Sequence, residues 1–221
     1  MKYEFSPVTD FAKLENAVAA LYGSGAAPAQ LERYQGVLQG LKETFGAMER
    51  AAVFSAPGRT EIGGNHTDHQ CGKVLTGSVN LDIIAAVTPN GERVVRLQSE
   101  GFPMMTVDLD DLEVHPEEYN QAVSLLRGVA AWFARQGCHL EGFNAYAVSN
   151  VFKGSGLSSS AAVEVLLGNI FNGLFNEDKC TPVQIAQIGQ YVENVYFGKP
   201  SGLLDQMGSS VGGMVTIDFA D

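Results

Sequence analysis

The sequence predicts a single α/β unit of the α+β type, in which a mixed, largely antiparallel sheet packs against helices. Apolar periodicity gives the element order helix, strands, helix, strand, helix, helix and strand, which lacks the strict alternation of a doubly wound sheet. The Asn90-Gly91 pair lies between two strand-like runs and favours antiparallel neighbours. The 221 residues, 45% of them apolar, are enough for one sizeable core.

Composition excludes several classes of protein. The formal net charge of −11 argues against a nucleic acid or an anionic membrane as a partner of the bulk surface. No segment resembles a signal peptide or approaches the ~20 apolar residues of a membrane span, so we expect a cytoplasmic protein. Cys71, Cys138 and Cys180 have no CxxC spacing, which indicates free thiols rather than a disulfide framework or a structural zinc site.

The elements near the N-terminus follow from apolar patterns. Residues 28–45 carry an amphipathic stripe, which predicts a helix on the core. Residues 51–55 form a short apolar run that predicts a buried strand. A Pro-Gly pair follows, so we expect the strand to end there and residues 58–72 to form a loop.

The middle of the chain predicts a hairpin, a helix and a strand. Residues 81–88 and 93–98 are expected to pair through the Asn-Gly turn between them. Pro116, followed by two glutamates, predicts the first turn of a helix that Gly137 closes. Apolar residues alternate over 143–147 and predict another strand.

Two helices and a strand are predicted in the last third of the chain. An apolar stripe with a period close to 3.6 residues predicts a helix that begins within residues 157–160. Thr181 and Gln184 form a capping box, which predicts a second helix that ends at a Gly-Lys-Pro stop. Residues 201–213 are expected to be a loop with at most one helical turn, and residues 214–219 alternate as a strand.

A Gly/Ser-rich segment, residues 154–160, connects a strand to the start of a helix. Free N–H groups and the dipole of a helix N-terminus attract phosphate, and glycines let the backbone come close. Lys153 adds a positive charge, and a serine hydroxyl could ligate a metal held by the phosphates. The alternative is a flexible turn with an ordinary serine cap. The segment is neither a Walker A loop nor a dinucleotide fingerprint, since Ser159 takes the last glycine position.

The segment after the first strand concentrates hydrogen-bonding groups suited to a polyhydroxylated ligand. Asp68 could accept hydrogen bonds from two vicinal hydroxyls, His66 could donate or accept, and Arg59 supplies a fixed positive fork. Two alternatives stay open: a surface loop stabilised by Asx turns, and a metal site formed by His66, Asp68, His69 and Cys71.

Glu193, late in a helix, and Asp205, in a loop, could converge on one cleft. There an aspartate can take the proton of a hydroxyl, and a glutamate near phosphates can carry Mg²⁺. Alternatively, Glu193 is a solvated helix residue and Asp205 a helix cap. Residues 208–212 match the esterase pattern G-x-S-x-G, but a strand follows them and every histidine precedes them, which argues against a hydrolase.

Three segments together resemble the galactokinase branch of the GHMP kinases. Residues 58–68 resemble the signature G-R-x-N-L-I-G-E-H-T-D-Y, residues 154–162 resemble the phosphate loop G-x-G-L-S-S-S-A, and residues 200–206 are similar to P-C-G-I-M-D-Q. The resemblance covers residues 45–219. It implies a GHMP-kinase N-terminal domain over residues 1–221, without the C-terminal GHMP domain. It also implies transfer of the γ-phosphoryl group of ATP to the anomeric hydroxyl of D-galactose, which gives galactose 1-phosphate.

The resemblance implies roles for individual residues, with ATP and Mg²⁺ as cofactors. Asp205 would be the catalytic aspartate, and Arg59 would stabilise both this anion and the charge on the transferred group. Ser160 and Glu193 would ligate Mg²⁺. The sugar-binding residues would be Asn65, His66, Asp68 and Gly202. The residues that would bind the ATP phosphates are Lys153, Gly154, Ser155, Gly156, Leu157, Ser158, Ser159 and Ser160.

The sequence departs from the family pattern at several positions. Asn65 stands where the family has Glu, and Glu61 where it has Asn. The family's Glu contacts the C6 end of the sugar, so a kinase for a related sugar, such as galacturonate, arabinose or N-acetylgalactosamine, stays open. His69, Phe152 and Ser201 replace Tyr, Pro and Cys, and none of these changes removes a charge that the chemistry uses.

A non-catalytic galactose sensor with the same fold is a further alternative, although the presence of both Asp205 and Arg59 argues against it. Members of the family continue well beyond this length into a C-terminal half that completes the cleft. We therefore expect little or no turnover by the 221 residues alone. The expected partners are the sugar, ATP and the C-terminal half of the same protein.

Overall fold

The computed structural model describes residues 2–5, 11–48, 50–64, 67–152 and 154–220, with only the backbone described for residues 2–5, 11–13, 68 and 69. The strands are β1 (Lys2–Phe5), β2 (Ala51–Gly63), β3 (Lys73–Pro89), β4 (Val94–Ser99), β5 (Met105–Asp108), β6 (Phe143–Ser149) and β7 (Met214–Asp218). The α-helices are α1 (Phe11–Tyr22), α2 (Ala27–Phe45), α3 (Ala122–Arg135), α4 (Ser159–Phe175), α5 (Pro182–Val195) and α6 (Leu204–Ser210). In these ranges, no helix has the length and apolar character needed to cross a membrane.

One mixed sheet forms the centre of the molecule. Its strands lie in the order β1-β2-β3-β6-β4-β5, and β7 pairs with the first part of β3. Neighbouring strands are antiparallel except β4 and β6, which run parallel. The predicted mixed, largely antiparallel sheet, distinct from a doubly wound one, is therefore confirmed.

Helices cover both faces of the sheet, each over its own apolar core. Because side chains alternate along a strand, Phe54 and Ala85 face the core under α3, α4 and α5, whereas Val53 and Ile84 face the core under α1 and α2. The central strands are thus buried on both faces. This explains why β3 reads as a nearly continuous apolar run over its second half.

Most of the predicted elements are present. The helices expected from the two apolar stripes and from the capping box are α2, α4 and α5. The box itself is formed: Gln184 N donates to Thr181 Oγ1 at 3.3 Å, and Thr181 N donates to Gln184 Oε1 at 2.8 Å. β6 and β7 confirm the predicted strands, whereas β1, α1 and β5 were not predicted.

The predicted hairpin between β3 and β4 is wrong, because β6 lies between these strands and pairs with both. The chain does reverse after Asn90, where Glu92 N donates to Asn90 Oδ1 at 2.9 Å, but the reversal lies against the start of β6. Asn90 N donates to the Gly142 carbonyl at 3.2 Å, and Asn90 Nδ2 donates to Asn144 Oδ1 at 3.1 Å. The Asn-Gly pair therefore marks a local chain reversal and does not set the strand pairing.

The predicted end of the first buried strand is also wrong. β2 continues through the Pro-Gly pair to Gly63, so that residues 58–63 belong to a strand and not to a loop. A register shift between Pro57 and Arg59 bends the strand while its pairing with β3 goes on. The bend matters for the site, because Arg59 emerges directly after it.

Two helix boundaries differ from the expectation. Pro116 begins only a short 3-10 turn, and α3 starts at Ala122. The helix cannot run through Asn120, which has a left-handed φ of 62° and whose N–H donates to the Phe197 carbonyl at 3.0 Å. α6 is longer than the single turn expected and has 7 residues.

Candidate active site

Arg59 and Asp205, far apart in the chain, form an ion pair. Arg59 Nε donates to Asp205 Oδ1 at 2.7 Å, and Nη2 lies 2.5 Å from the same oxygen. Ser158 Oγ donates to the other oxygen, Oδ2, at 2.6 Å. The Arg59 side chain is 7% exposed and that of Asp205 20% exposed, so the carboxylate is held from the interior and open on one side. The predicted proximity of Arg59 and Asp205 is confirmed, while their catalytic roles stay predictions.

The bend in β2 brings Arg59 to α6. Ser209 Oγ donates to the Pro57 carbonyl at 2.6 Å and ties α6 to the bend. The approach is close, because a Cβ on Gly208 would lie 2.6 Å from Thr76 Oγ1 and 2.9 Å from Arg59 Cβ. A larger residue at this position would push α6, and with it the aspartate, away from the arginine.

The Gly/Ser segment leads into α4 and folds around Arg59. Gly154 and Gly156 have φ values of 80° and 76°, which favour glycine. Arg59 N donates to the Leu157 carbonyl at 3.1 Å, and Arg59 Nη1 donates to the Gly156 carbonyl at 2.6 Å. α4 begins at Ser159, and the first amides of a helix have no acceptor within it. An anion could therefore bind at this helix start, beside the ion pair.

A second group of polar side chains joins α4, α5 and α6. Glu193 Oε1 accepts hydrogen bonds from Ser160 Oγ at 3.1 Å and from Lys199 Nζ at 2.9 Å. Gln206 Nε2 donates to Glu193 Oε2 at 2.9 Å and to Glu164 Oε2 at 3.0 Å. Glu164 and Gln206 are fully buried, and Glu193 is 1% exposed. One amide thus bridges two buried carboxyl groups.

Ser160 and Glu193 have the donor atoms that suit Mg²⁺, namely a hydroxyl and a carboxylate oxygen. The Lys199 ammonium contacts the same Glu193 oxygen as Ser160, so this position accommodates a positive charge. Partial burial lowers the pKa of Lys199, but the hydrogen bond to Glu193 and the nearby carboxylates raise it above its ordinary value. These residues fit a magnesium ion that takes its other ligands from water and phosphates. In the described part of the chain, no cluster of three His, Cys, Asp or Glu could hold a metal.

Glu164 is a buried acid whose pKa lies well above its ordinary value. Burial is the main cause, and the negative charges of Glu193 and Asp205 add to it, whereas the hydrogen bond from Gln206 acts in the opposite direction. Glu164 Oε1 and Gln206 Oε1 have no hydrogen-bond partner among the described residues. A proton on the carboxyl group would let Glu164 donate to the amide oxygen of Gln206.

We expect Glu164→Gln to stabilise the protein at neutral pH. Because the pKa is raised on folding, the folded state keeps a proton that the unfolded state releases above the ordinary value of 4.5. The free energy of unfolding of the wild type therefore falls as the pH rises from about 4.5 through the pKa of Glu164 in the folded state. The uncharged variant lacks this fall. Its amide can also donate to Gln206, a bond worth about 1 kcal/mol. Urea unfolding between about pH 5 and pH 8 measures both effects. Glu177→Gln, at an exposed acid, is the control, and parallel wild-type and Glu164→Gln curves would contradict the prediction.

The other predicted site residues are described in part. Asn65, His66 and Lys153 lie outside the described residues, and only the backbone of Asp68 is described. The sugar contacts and the alternative metal site of the same loop therefore stay predictions. Gly202 lies just before α6 and is partly buried.

Three members of the site were not predicted: Gln206, Glu164 and Lys199. A signal existed for Glu164, because it stands between two valines inside an apolar helix, where an unpaired charge is costly. Gln206 belongs to the third motif, which implies no role for it, and Lys199 belongs to the Gly-Lys-Pro stop that ends the predicted helix. For Glu193, the alternative of a solvated helix residue is wrong, since it is buried.

The esterase alternative has no structural support. Ser210, its candidate nucleophile, is the last residue of α6, and its Oγ donates to the Pro182 carbonyl at 2.7 Å. A helix precedes this serine and a strand follows it, which is the reverse of a nucleophile elbow.

The site residues fall in or next to two segments that match known family models. Residues 40–89 match the galactokinase galactose-binding signature. Residues 124–213 match the N-terminal domain of GHMP kinases. The first segment carries Arg59, and the second carries Ser158 and Asp205.

Curated relatives agree with these matches. The galactokinase of Lacticaseibacillus casei (strain BL23) is 34% identical over 178 residues, which are 80% of this chain and 45% of that protein. The galactokinase of Lactobacillus helveticus is 34% identical over 172 residues, with 76% and 44% covered. The chain thus spans less than half the length of these relatives.

Solved structures show the same fold. The crystal structure of Lactococcus lactis galactokinase complexed with galactose matches with a TM-score of 0.78 at 27% identity, and the match covers 85% of this chain and 49% of that one. Methanococcus jannaschii mevalonate kinase matches with a TM-score of 0.63 at 16% identity over 76% of this chain and 54% of that one, which shows the fold alone. With both family models matched in order along the chain, the protein belongs to the GHMP kinases and corresponds to the N-terminal region of the galactokinases.

Proposed function

We propose that this chain is the N-terminal part of a galactokinase, which transfers the γ-phosphoryl group of ATP to the anomeric hydroxyl of D-galactose. The observation that carries the proposal is the contact between Arg59 and Asp205 beside the start of α4. In-line transfer needs a carboxylate at the attacking hydroxyl and donors at the phosphates, both held in advance. On this proposal residues 1–221 form the N-terminal GHMP-kinase domain, and a C-terminal half of the same protein completes the cleft.

Asp205 accepts the proton of the anomeric hydroxyl, or holds the hydroxyl in line, while the oxygen of that hydroxyl forms a bond to the γ-phosphorus. The bond from that phosphorus to the β,γ-bridging oxygen breaks, and ADP leaves. Arg59 keeps Asp205 anionic and balances the negative charge on the transferred group. The ion pair holds the guanidinium and the carboxylate beside each other, and charged groups held in advance reduce the reorganisation that a reaction needs.

The family of kinases matched over residues 124–213 implies the use of ATP. Lys153 and the backbone of residues 154–160 bind its phosphates, and Ser160 and Glu193 hold Mg²⁺. When bound, the ion neutralises charge on the phosphates. Lys199 contacts the Glu193 oxygen that the ion would share, and its side chain, which is 52% exposed, would have room to turn toward solvent.

Galactose is favoured as the sugar by the matched signature and by the similar Lactococcus lactis galactokinase, whose crystal structure is a complex with galactose. The sugar contacts are assigned to Asn65, His66, Asp68 and Gly202. A related sugar remains an alternative because of Asn65, whose amide replaces the carboxylate of the family pattern.

Galactose binding and transfer together test the proposal. We expect the 221-residue chain to bind D-galactose in calorimetric titration, and Asp68→Ala to weaken that binding by about tenfold or more, since a bidentate charged hydrogen bond is lost. Asp178→Ala, at an exposed acid in the turn after α4, is the control. Unchanged affinity in Asp68→Ala would remove Asp68 from the site.

Transfer is measured on the complete product of the gene, with D-galactose, galacturonate, arabinose and N-acetylgalactosamine as acceptors. Preferred phosphorylation of a sugar other than galactose would favour the related-sugar kinase. Galactose binding without any transfer would favour the sensor.

A further inference from the structure

Ser158 is held in an unfavourable backbone conformation immediately before α4. Its φ and ψ are 56° and 68°, in the left-handed region that non-glycine residues seldom adopt. A serine at this position usually caps the helix by accepting a hydrogen bond from an amide of the first turn. Here the side chain makes no such bond. The usual reason for a serine before a helix therefore does not apply to Ser158.

The hydroxyl of Ser158 is used differently. It donates to Asp205 Oδ2 at 2.6 Å, while Arg59 contacts only Oδ1. The two carboxylate oxygens are thus held by two different segments, and the carboxylate plane is fixed. Each oxygen of a carboxylate has two lone pairs, so Oδ2 can still accept a second hydrogen bond, and the Asp205 side chain is 20% exposed.

We propose that Ser158 is a positioning residue for Asp205, and that the left-handed backbone is retained because it carries the hydroxyl to the carboxylate. The inference rests on the proposed function and deepens it. Ser158 acts on the reacting sugar hydroxyl through Asp205. Ser158 therefore contributes to kcat and contributes little to the affinity for nucleotide. If its hydroxyl bound a phosphate instead, its loss would weaken nucleotide binding.

Two substitutions separate the hydroxyl from the backbone. Ser158→Ala and Ser158→Gly both remove the hydroxyl, but only glycine tolerates the left-handed conformation. We expect the glycine variant to melt about 2–4 °C above the alanine variant, yet both to lose about 10- to 100-fold in kcat. Nucleotide affinity of the 221-residue chain, measured by calorimetry with a non-hydrolysable Mg-ATP analogue, is expected to stay within about threefold of wild type in both.

Glu177 provides a matched control, because it has the same φ of 56° at the other end of α4 and is exposed. Glu177→Gly and Glu177→Ala should repeat the difference in Tm without any change in kcat. If kcat instead falls in proportion to Tm in the Gly and Ala variants of both Ser158 and Glu177, Ser158 has a purely structural role and the inference is overturned.

A double-mutant cycle with Asp205→Asn completes the test, with turnover measured on the complete gene product. If Ser158 acts through Asp205, Ser158→Gly should cost less than about threefold in the Asp205→Asn background. A full additional loss, or weaker nucleotide binding, would overturn the inference in favour of a phosphate contact. If Asp205→Asn alone retains turnover, the proposed function fails. If Asp205→Asn abolishes turnover while Ser158→Gly leaves it intact, only the inference about Ser158 fails.

Discussion

Asp205→Asn is expected to reduce phosphorylation of galactose by about 10²- to 10⁴-fold, which is the range in which a positioned acid or base contributes. Affinity for galactose is expected to stay within about threefold, because the change alters the reacting contact and leaves the sugar's other contacts in place. The expected loss therefore lies in kcat. It is the largest functional effect that we predict for a single substitution in this chain.

The physical reason lies in the number of acceptor oxygens. Asp205 accepts from Arg59 on one oxygen and from Ser158 on the other. An asparagine offers one oxygen and one NH₂ group. With the oxygen toward Arg59, the NH₂ group can donate to the Ser158 hydroxyl, which then acts as the acceptor, but no carboxylate oxygen is left to take the proton of the sugar hydroxyl. The Arg59 guanidinium also loses its counterion, although it keeps the Gly156 carbonyl. We expect the free energy of unfolding to fall by about 1–3 kcal/mol as a result.

Asp218→Asn is the matched control for this prediction. Asp218 is paired with Lys73 at 2.8 Å, but both side chains are exposed and lie away from the site, on β7 and β3. Coupled measurement of ADP release gives kcat and KM for the complete gene product, and calorimetry gives the galactose affinity of the 221-residue chain. Loss of less than tenfold in kcat would show that Asp205 is not the catalytic aspartate.

The elements that were predicted correctly depend on short-range signals. The capping box of α5 involves residues three apart, and the stripe of α4 repeats within a turn. The pairing of β3 with β4 was predicted from an equally local signal and is wrong. Pairing is decided by competition between strands. β6 begins only at Phe143, far along the chain from the Asn-Gly turn, so the turn alone could not show that β6 would pair with both strands. The bend at Pro57 escaped prediction for the same reason, since it depends on β3.

The candidate site divides in a similar way. The contact between Arg59 and Asp205 was expected because both residues belong to segments that resemble one family. No pattern linked Glu164 to Gln206, since their contact arises only when α4, α5 and α6 pack together. Sequence patterns indicate which residues carry charge. They do not indicate that Glu193 and Glu164 are buried, because burial arises only when the helices pack together.

Gln206 is the residue on which this packing depends most. Its amide is the shared donor of two buried carboxyl groups, on α4 and α5. The helices leave little room for water to replace it, because a Cβ on Gly189 would lie 2.8 Å from both Gln206 Cγ and Glu164 Oε2. The residue also follows Asp205 directly, so its position bears on the aspartate.

Gln206→Met keeps the length and approximate volume of the side chain and removes the donor. We expect the free energy of unfolding to fall by about 1–3 kcal/mol, because the buried Oε2 atoms of Glu193 and Glu164 lose their shared donor. Glu164→Gln should reduce that cost when combined with Gln206→Met, since Glu193, whose Oε1 keeps Ser160 and Lys199, is then the only acid that loses the shared donor. Urea unfolding of the 221-residue chain measures all four members of this cycle. Gln39→Met is the control: Gln39 also donates to a carboxylate, Glu43 at 2.7 Å, but on the exposed face of α2. If Gln206→Met cost no more than Gln39→Met, the buried bridge would contribute nothing to holding α6 and its aspartate in place.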